Sequence, residues 1–170
     1  MLTFSELADL PMHNLLRYKF PNANWAIIIP PEIQDQLAAH AQHYAHAPEA
    51  AGQLFARSLI TQTVIIEKVT LLQPIRSTRN RFRFNLAEAF EERAALFNAG
   101  MNFIGLWHTH PESFPSPSSE DLIFARDHAT AASKQLAGIL FLIVGTAPFP
   151  HGLLVGAHDS NRFWTAEPSQ

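Results

Sequence analysis

Gly105-Leu106-Trp107-His108-Thr109-His110-Pro111-Glu112, followed by Pro117-Ser118-Ser119-Glu120-Asp121, is the stretch on which both the fold and the chemistry of this chain turn. Asn102 to His108 reads as a strand, and side chains alternate along a strand, so residues two apart project the same way. His108 and His110 therefore converge where the strand ends. Pro115 and Pro117 forbid regular structure in the loop that follows. Ser118 to Ala132 then reads as a helix, whose first turn returns a carboxylate towards the two imidazoles. Two His nitrogens and one carboxylate oxygen, with a fourth position left for water, form the ligand set of an open, catalytic zinc site. Each piece has a plainer reading. Ser118-x-x-Asp121 is also an N-terminal capping pattern, and a solitary His-x-His at a strand end is more often polar decoration. The conjunction, with seven residues between His110 and Ser118, is far more specific than either part.

Outward from this stretch the chain alternates strands and helices. Downstream, Gly138 to Val144 reads as a buried strand, and Ala147 to His151 as a turn into a last strand, Gly152 to Ala157. Upstream, Leu86 to Asn98 has helical spacing through Leu86, Phe90, Ala94 and Phe97, and it stops at Gly100, the residue type that takes the left-handed conformation after a helix. Arg81-Phe82-Arg83-Phe84 alternates with period two, as a short strand does. Gly52 to Ala56 and Thr63 to Leu72 read as neighbouring strands joined around Leu59 to Gln62. Pro30-Pro31-Glu32 opens a helix that keeps Ile33, Leu37 and Ala41 on one face to about Ala45, before Pro48. Trp25 to Ile29 is a strand. Residues 1–24, with Pro11 and Pro21, form a prefix with room for one short helix. The order implies an α/β or α+β layer fold, a curved mixed sheet with flanking helices in a single domain.

Composition narrows the function classes. The chain has 170 residues, 47% of them apolar, which is enough for the core of one domain. Twelve Lys plus Arg against fifteen Asp plus Glu give a net charge of −3, which provides no counterion-release drive towards nucleic acid. Cysteine is absent, which removes disulfides, Cys-ligated zinc and cysteine nucleophiles together. No basic, apolar, small-residue leader is present at the start, and the longest apolar run, Ala137 to Thr146, is about half a membrane span. A cytoplasmic protein without membrane or nucleic-acid partners is expected. No His-Glu-x-x-His, Pro-Cys-x-x-Cys, Gly-x-x-x-x-Gly-Lys or Gly-x-Gly-x-x-Gly occurs, so zincin, zinc-deaminase and nucleotide-loop templates fail.

The quoted motif resembles the signature of the JAMM (MPN-plus, JAB) metallopeptidases: a distant Glu, then His-x-His, seven residues and Ser-x-x-Asp. Pro48-Glu49-Ala50-Ala51-Gly52-Gln53-Leu54-Phe55 is similar to the family's segment from first helix to strand, with Ala51 where many relatives carry Cys. The wording Gly-x-Trp-His-Thr-His-Pro-Glu is most similar to the bacterial branch found beside E1- and E2-like proteins in ubiquitin-like conjugation and antiphage operons. The resemblance runs over about residues 25–157, with 1–24 as an N-terminal extension and 158–170 as a tail. It implies a JAMM/MPN-like, cytidine-deaminase-like architecture and one Zn2+ held by His108, His110 and Asp121. It also implies Glu49 as general base and Ser118 as donor to the oxyanion. The implied substrate is a ubiquitin-like protein cut after its C-terminal Gly, with nearby E1/E2-like proteins as possible partners. Processing of a sulfur-carrier precursor is a near variant, and a non-catalytic MPN-type scaffold is the alternative from another class.

Two further patterns carry plainer readings. Arg76, Arg79, Arg81 and Arg83, interleaved with Phe82 and Phe84, read as an amphipathic strand, and the resemblance makes a clamp on the substrate tail an option there. His40, His43 and His46 recur every three residues, which drifts about 60° per step around a helix. They read as a solvated helix face rather than a second metal site, and His128, His151 and His158 as structural.

Overall fold

The structure, a computed structural model, describes residues 15–44, 46–78 and 81–169, with the side chains of 75–84 outside that description. In chain order the elements are β1 (Leu16–Lys19), β2 (Ala26–Ile29), α1 (Pro31–Ala38), β3 (Ala51–Ala56), β4 (Thr63–Ile65) and β5 (Lys68–Val69). They continue with β6 (Pro74–Thr78), β7 (Arg81–Phe84), α2 (Leu86–Asn98), β8 (Asn102–Thr109) and α3 (Ser119–Ala132). The chain closes with β9 (Ile139–Val144), β10 (Leu153–His158), β11 (Phe163–Thr165) and β12 (Glu167–Ser169). A six-stranded sheet has the order β11-β10-β9-β8-β3-β5, a four-stranded sheet the order β12-β1-β2-β4, and β6 pairs with β7.

Period-two alternation in β8 and β9 divides the core. Trp107, Leu140, Leu142 and Val144 face one way and pack with Ile27 and Ile29 of β2 and Ile33 and Leu37 of α1. Leu106, Ile139, Phe141 and Ile143 face the other way and pack on Ala125 and Ala129 of α3. The β8 and β9 strands run parallel, so a crossover is required, and α3 supplies it. The β3 strand runs antiparallel beside β8 and brings Ala51 opposite His108. His108 thus shares a face with Leu106 under α3, whereas Thr109 shares the opposite face with Trp107.

Four expectations change against this architecture. The first helix ends at Ala38 rather than near Ala45, so His40, His43 and His46 do not lie on a helix. His43 and His46 are exposed, while the His40 ring lies 5.3 Å from that of Trp107. Thr63 to Leu72 is two strands in different sheets: β4 pairs parallel with β2, and β5 antiparallel with β3. Gly152 to Ala157 is not the last strand, because the chain returns as β11 beside β10 and as β12 beside β1. Within residues 1–24, the described part contains a strand, β1, paired with β2 and β12.

The α2 helix falls on the expected residues but turns a different face inward. Ala89 is buried, whereas Leu86, Phe90 and Phe97 are exposed. The reason is polar. Gln53 of β3 is fully buried and donates to the Ala89 carbonyl, while Glu92 accepts from Gln53 and, at 2.7 Å, from the Thr70 hydroxyl. Arg93 donates to Gln53 Oε1 and lies over the Phe103 ring at 3.7 Å. A buried amide needs partners, and the helix face that supplies them is the one that docks.

Candidate metal centre

The strand β8 delivers His108 and, one residue past its end, His110, and the helix α3 delivers Asp121. His108 Nε2 lies 2.9 Å from His110 Nε2 and 3.1 Å from Asp121 Oδ1, and His110 Nε2 lies 3.3 Å from Asp121 Oδ2. Tetrahedral ligands at the ~2.0–2.1 Å of a zinc–imidazole bond stand roughly 3.3 Å apart. The three donor atoms, all within 4.8 Å of one another, therefore fit a single divalent ion of that size. Among the described residues this is the group of His, Asp and Glu side chains with such convergence.

For two of the three groups the electrostatics favour the same arrangement. Burial pushes the His108 imidazole down, against hydrogen bonding to Asp121, and so favours the neutral ring that a metal ligand must present. Burial alone would raise the Asp121 carboxyl, but its bonds to His108, His110 and Ser118 outweigh this and hold it well below the usual carboxylate range. His110 is raised, because the Asp121 and Glu112 carboxylates outweigh its burial.

Capping and metal ligation are not alternatives here. Ser118 is the N-cap of α3, its Oγ accepting the Asp121 N–H at 3.1 Å while its own N–H donates to Asp121 Oδ2 at 2.7 Å. The same carboxylate faces both imidazoles, so the capping box fixes the third donor in place. An oxygen that accepts the Asp121 N–H still carries a proton to donate.

Glu49 lines the same cleft of about 500 Å3, together with His108, His110, Ser118 and Asp121. Burial pushes its carboxyl up to about 7, opposed by the charge of His110 and reinforced by Asp121 and Glu120. Its loop is tied to the ligand strand. Thr109 N–H donates to the Ala50 carbonyl at 2.9 Å, and Ala50 N–H donates to the Thr109 hydroxyl at 3.0 Å. That hydroxyl donates to Gln42 Oε1 at 3.1 Å, and Gln42 Nε2 donates to the Ala47 carbonyl at 2.9 Å. Both side chains are buried, and neither was singled out from sequence. The available signal was a hydroxyl residue between two histidines, which alternation sends to the opposite face. The Arg76, Arg79, Arg81 and Arg83 side chains lie outside the described residues.

A mixed sheet with His-x-His at a strand end and Ser-x-x-Asp at the next helix start defines a JAB/MPN-like α+β fold. The sequence matches the family described as prokaryotic homologs of the JAB domain (Prok-JAB) over residues 30–167, and the chain belongs to that family. The fold is similar to the solution structure of a Desulfitobacterium hafniense protein, with TM-score 0.59 and 19% identity over 84% of this chain and 88% of that one. A Salinibacter ruber protein, also solved in solution, gives TM-score 0.52 and 21% identity over the same shares. No curated protein matches the chain. Among the described residues, no helix is long and apolar enough to cross a membrane.

Proposed function

We propose that this protein is a cytoplasmic, zinc-dependent JAMM peptidase that hydrolyses the bond after the C-terminal Gly of a ubiquitin-like protein, as an isopeptide to lysine or in a precursor. The observation that carries this reading is the convergence of His108, His110 and Asp121 within 4.8 Å, with Glu49 on the same cleft. A bound zinc ion supplies Lewis acidity, polarising the scissile carbonyl and easing deprotonation of the attacking water. Glu49, whose charge couples to His110 and Asp121, takes the proton from that water and returns it to the leaving nitrogen as the C–N bond breaks. Water adds to the carbonyl carbon, so no covalent enzyme intermediate forms. The Ser118 hydroxyl donates to the oxygen that gains charge, and such donors are worth about 10²–10³ in rate. E1/E2-like proteins of a ubiquitin-like conjugation and antiphage system are the proposed partners.

The first test is metal content by elemental mass spectrometry, wild type beside His110→Ala, prepared without added metal. About one zinc per chain that is lost in the variant is expected for an open three-ligand site. No zinc in the wild type even after reconstitution overturns the peptidase reading and favours the scaffold.

A further inference from the structure

We infer that Glu112 is a positioning residue for the metal centre: its carboxylate, paired with His110 Nδ1, holds the ring's proton on that nitrogen and so fixes the ring with bare Nε2 turned to the metal site. The inference rests on the metal reading above.

Glu112 Oε2 lies 3.3 Å from His110 Nδ1, while Nε2 of the same ring faces His108 and Asp121. A neutral imidazole carries one proton, and a carboxylate at Nδ1 keeps it there, leaving the lone pair on Nε2. The same partner raises the basicity of the ligand.

Glu112 is exposed, at 57% of its side chain, so its reach depends on where the backbone puts it. The backbone is held closely. His110 N–H donates to the Val144 carbonyl at 2.8 Å, Thr146 N–H to the Glu112 carbonyl at 2.9 Å, and Ala147 N–H to the Ser113 carbonyl at 3.2 Å. Between them lies Gly145, where an added Cβ would stand 2.6 Å from the Glu112 carbonyl oxygen and from Pro115 Cδ, and 2.9 Å from the Ser113 carbonyl oxygen. The loop carrying Glu112 is therefore seated against a position that only glycine leaves open. The end of β9 thus places the carboxylate beside the ring.

An exposed pair of this kind contributes little to folding, so its effect belongs to the metal. The experiment is zinc affinity of the full chain by competition with a chromophoric chelator, for wild type, Glu112→Ala and Glu112→Gln, with His110→Ala as control. Far-UV circular dichroism and metal-free Tm are recorded for each. Glu112→Ala is expected to weaken zinc binding by about 10–100-fold at unchanged metal-free Tm. Glu112→Gln, which keeps an acceptor oxygen without the charge, is expected to fall between. In the zinc-loaded wild type the His110 Nδ1 proton is expected to exchange slowly enough for NMR detection, and Glu112→Ala is expected to remove that signal. Zinc affinity of Glu112→Ala within about twofold of wild type, outside the loss expected of such partners, overturns the inference and leaves the metal reading intact if His110→Ala has lost zinc. A wild type that takes up no zinc overturns the metal reading and this inference with it.

Discussion

The hydroxyl of Thr109 accepts the N–H of Ala50 at 3.0 Å, so the residue between the two candidate ligands also holds the residue next to Glu49. Because alternation sends Thr109 away from His108 and His110, one strand end serves the candidate metal site on one face and the proposed base through the other. Thr109→Val keeps the shape but leaves the Ala50 N–H and Gln42 Oε1 without that partner. Loss of a partly buried hydrogen-bond pair of this kind costs about 1–3 kcal/mol. Urea unfolding of metal-free protein should show a loss in that range for Thr109→Val and a smaller one for Thr109→Ser. Equal midpoints for Val and wild type would mean that the clip carries no stability.

Gly52 makes β3 and the Thr70 backbone meet. A Cβ at position 52 would lie 1.7 Å from the Thr70 carbonyl oxygen and 2.5 Å from Trp107 Nε1, the pair that form a hydrogen bond of 3.0 Å. The Thr70 carbonyl is backbone and cannot swing aside. Gly52→Ala should cost about 3 kcal/mol or more, at the upper end of overpacking penalties, and should shift the Trp107 fluorescence. Retention of the wild-type Tm and emission would count against this close approach of β3 to the Thr70 backbone.

Tyr18 gives an alkaline limit to stability. Burial pushes its phenol up to about 12, with the hydroxyl 3.5 Å from the Pro150 carbonyl oxygen. The folded pKa is raised above the unfolded value of about 10, so this contribution is complete below pH 10. It is lost as pH rises towards 12, because the unfolded chain releases the proton first. Denaturation midpoints should fall over that interval in the wild type and fall less in Tyr18→Phe.

Glu49 separates metal binding from turnover. It is not one of the three converging donors, so Glu49→Ala should retain zinc while cleavage of a ubiquitin-like substrate drops by about 10²–10⁴, the usual worth of a positioned proton acceptor. His110→Ala should lose both. Undiminished cleavage by Glu49→Ala would remove the base assignment.

Strong local signals are legible in the sequence. Leu86 to Asn98 is the α2 helix, capped by Asn85 Oδ1 accepting the Ala87 N–H at 3.0 Å, and Gly100 has the positive φ, 78°, expected of it. Which helix face docks is not legible locally, because the spacing of Leu86, Phe90 and Phe97 says nothing about Gln53, far away in the chain, whose buried amide selects Glu92 and Arg93. The short strands were invisible for a related reason. Three or four residues, as in β1 and β12, carry almost no periodicity, and the register of Arg17 with Ser169 is fixed by chain ends that only the folded sheet brings together.

The sequence by itself determined the family and the candidate donor set, since His-x-His on a strand and Ser-x-x-Asp at a helix start act through local geometry that alternation and capping impose. Tertiary structure alone decided that the donors converge within 4.8 Å, that Glu49 reaches their cleft through the Thr109 and Gln42 clip, and that Glu112 is seated beside His110 against Gly145. Those outcomes depend on backbone contacts between segments separated by tens of residues. No local pattern encodes them, because their energy exists only once the parallel pair β8 and β9 has formed and α3 has crossed over it.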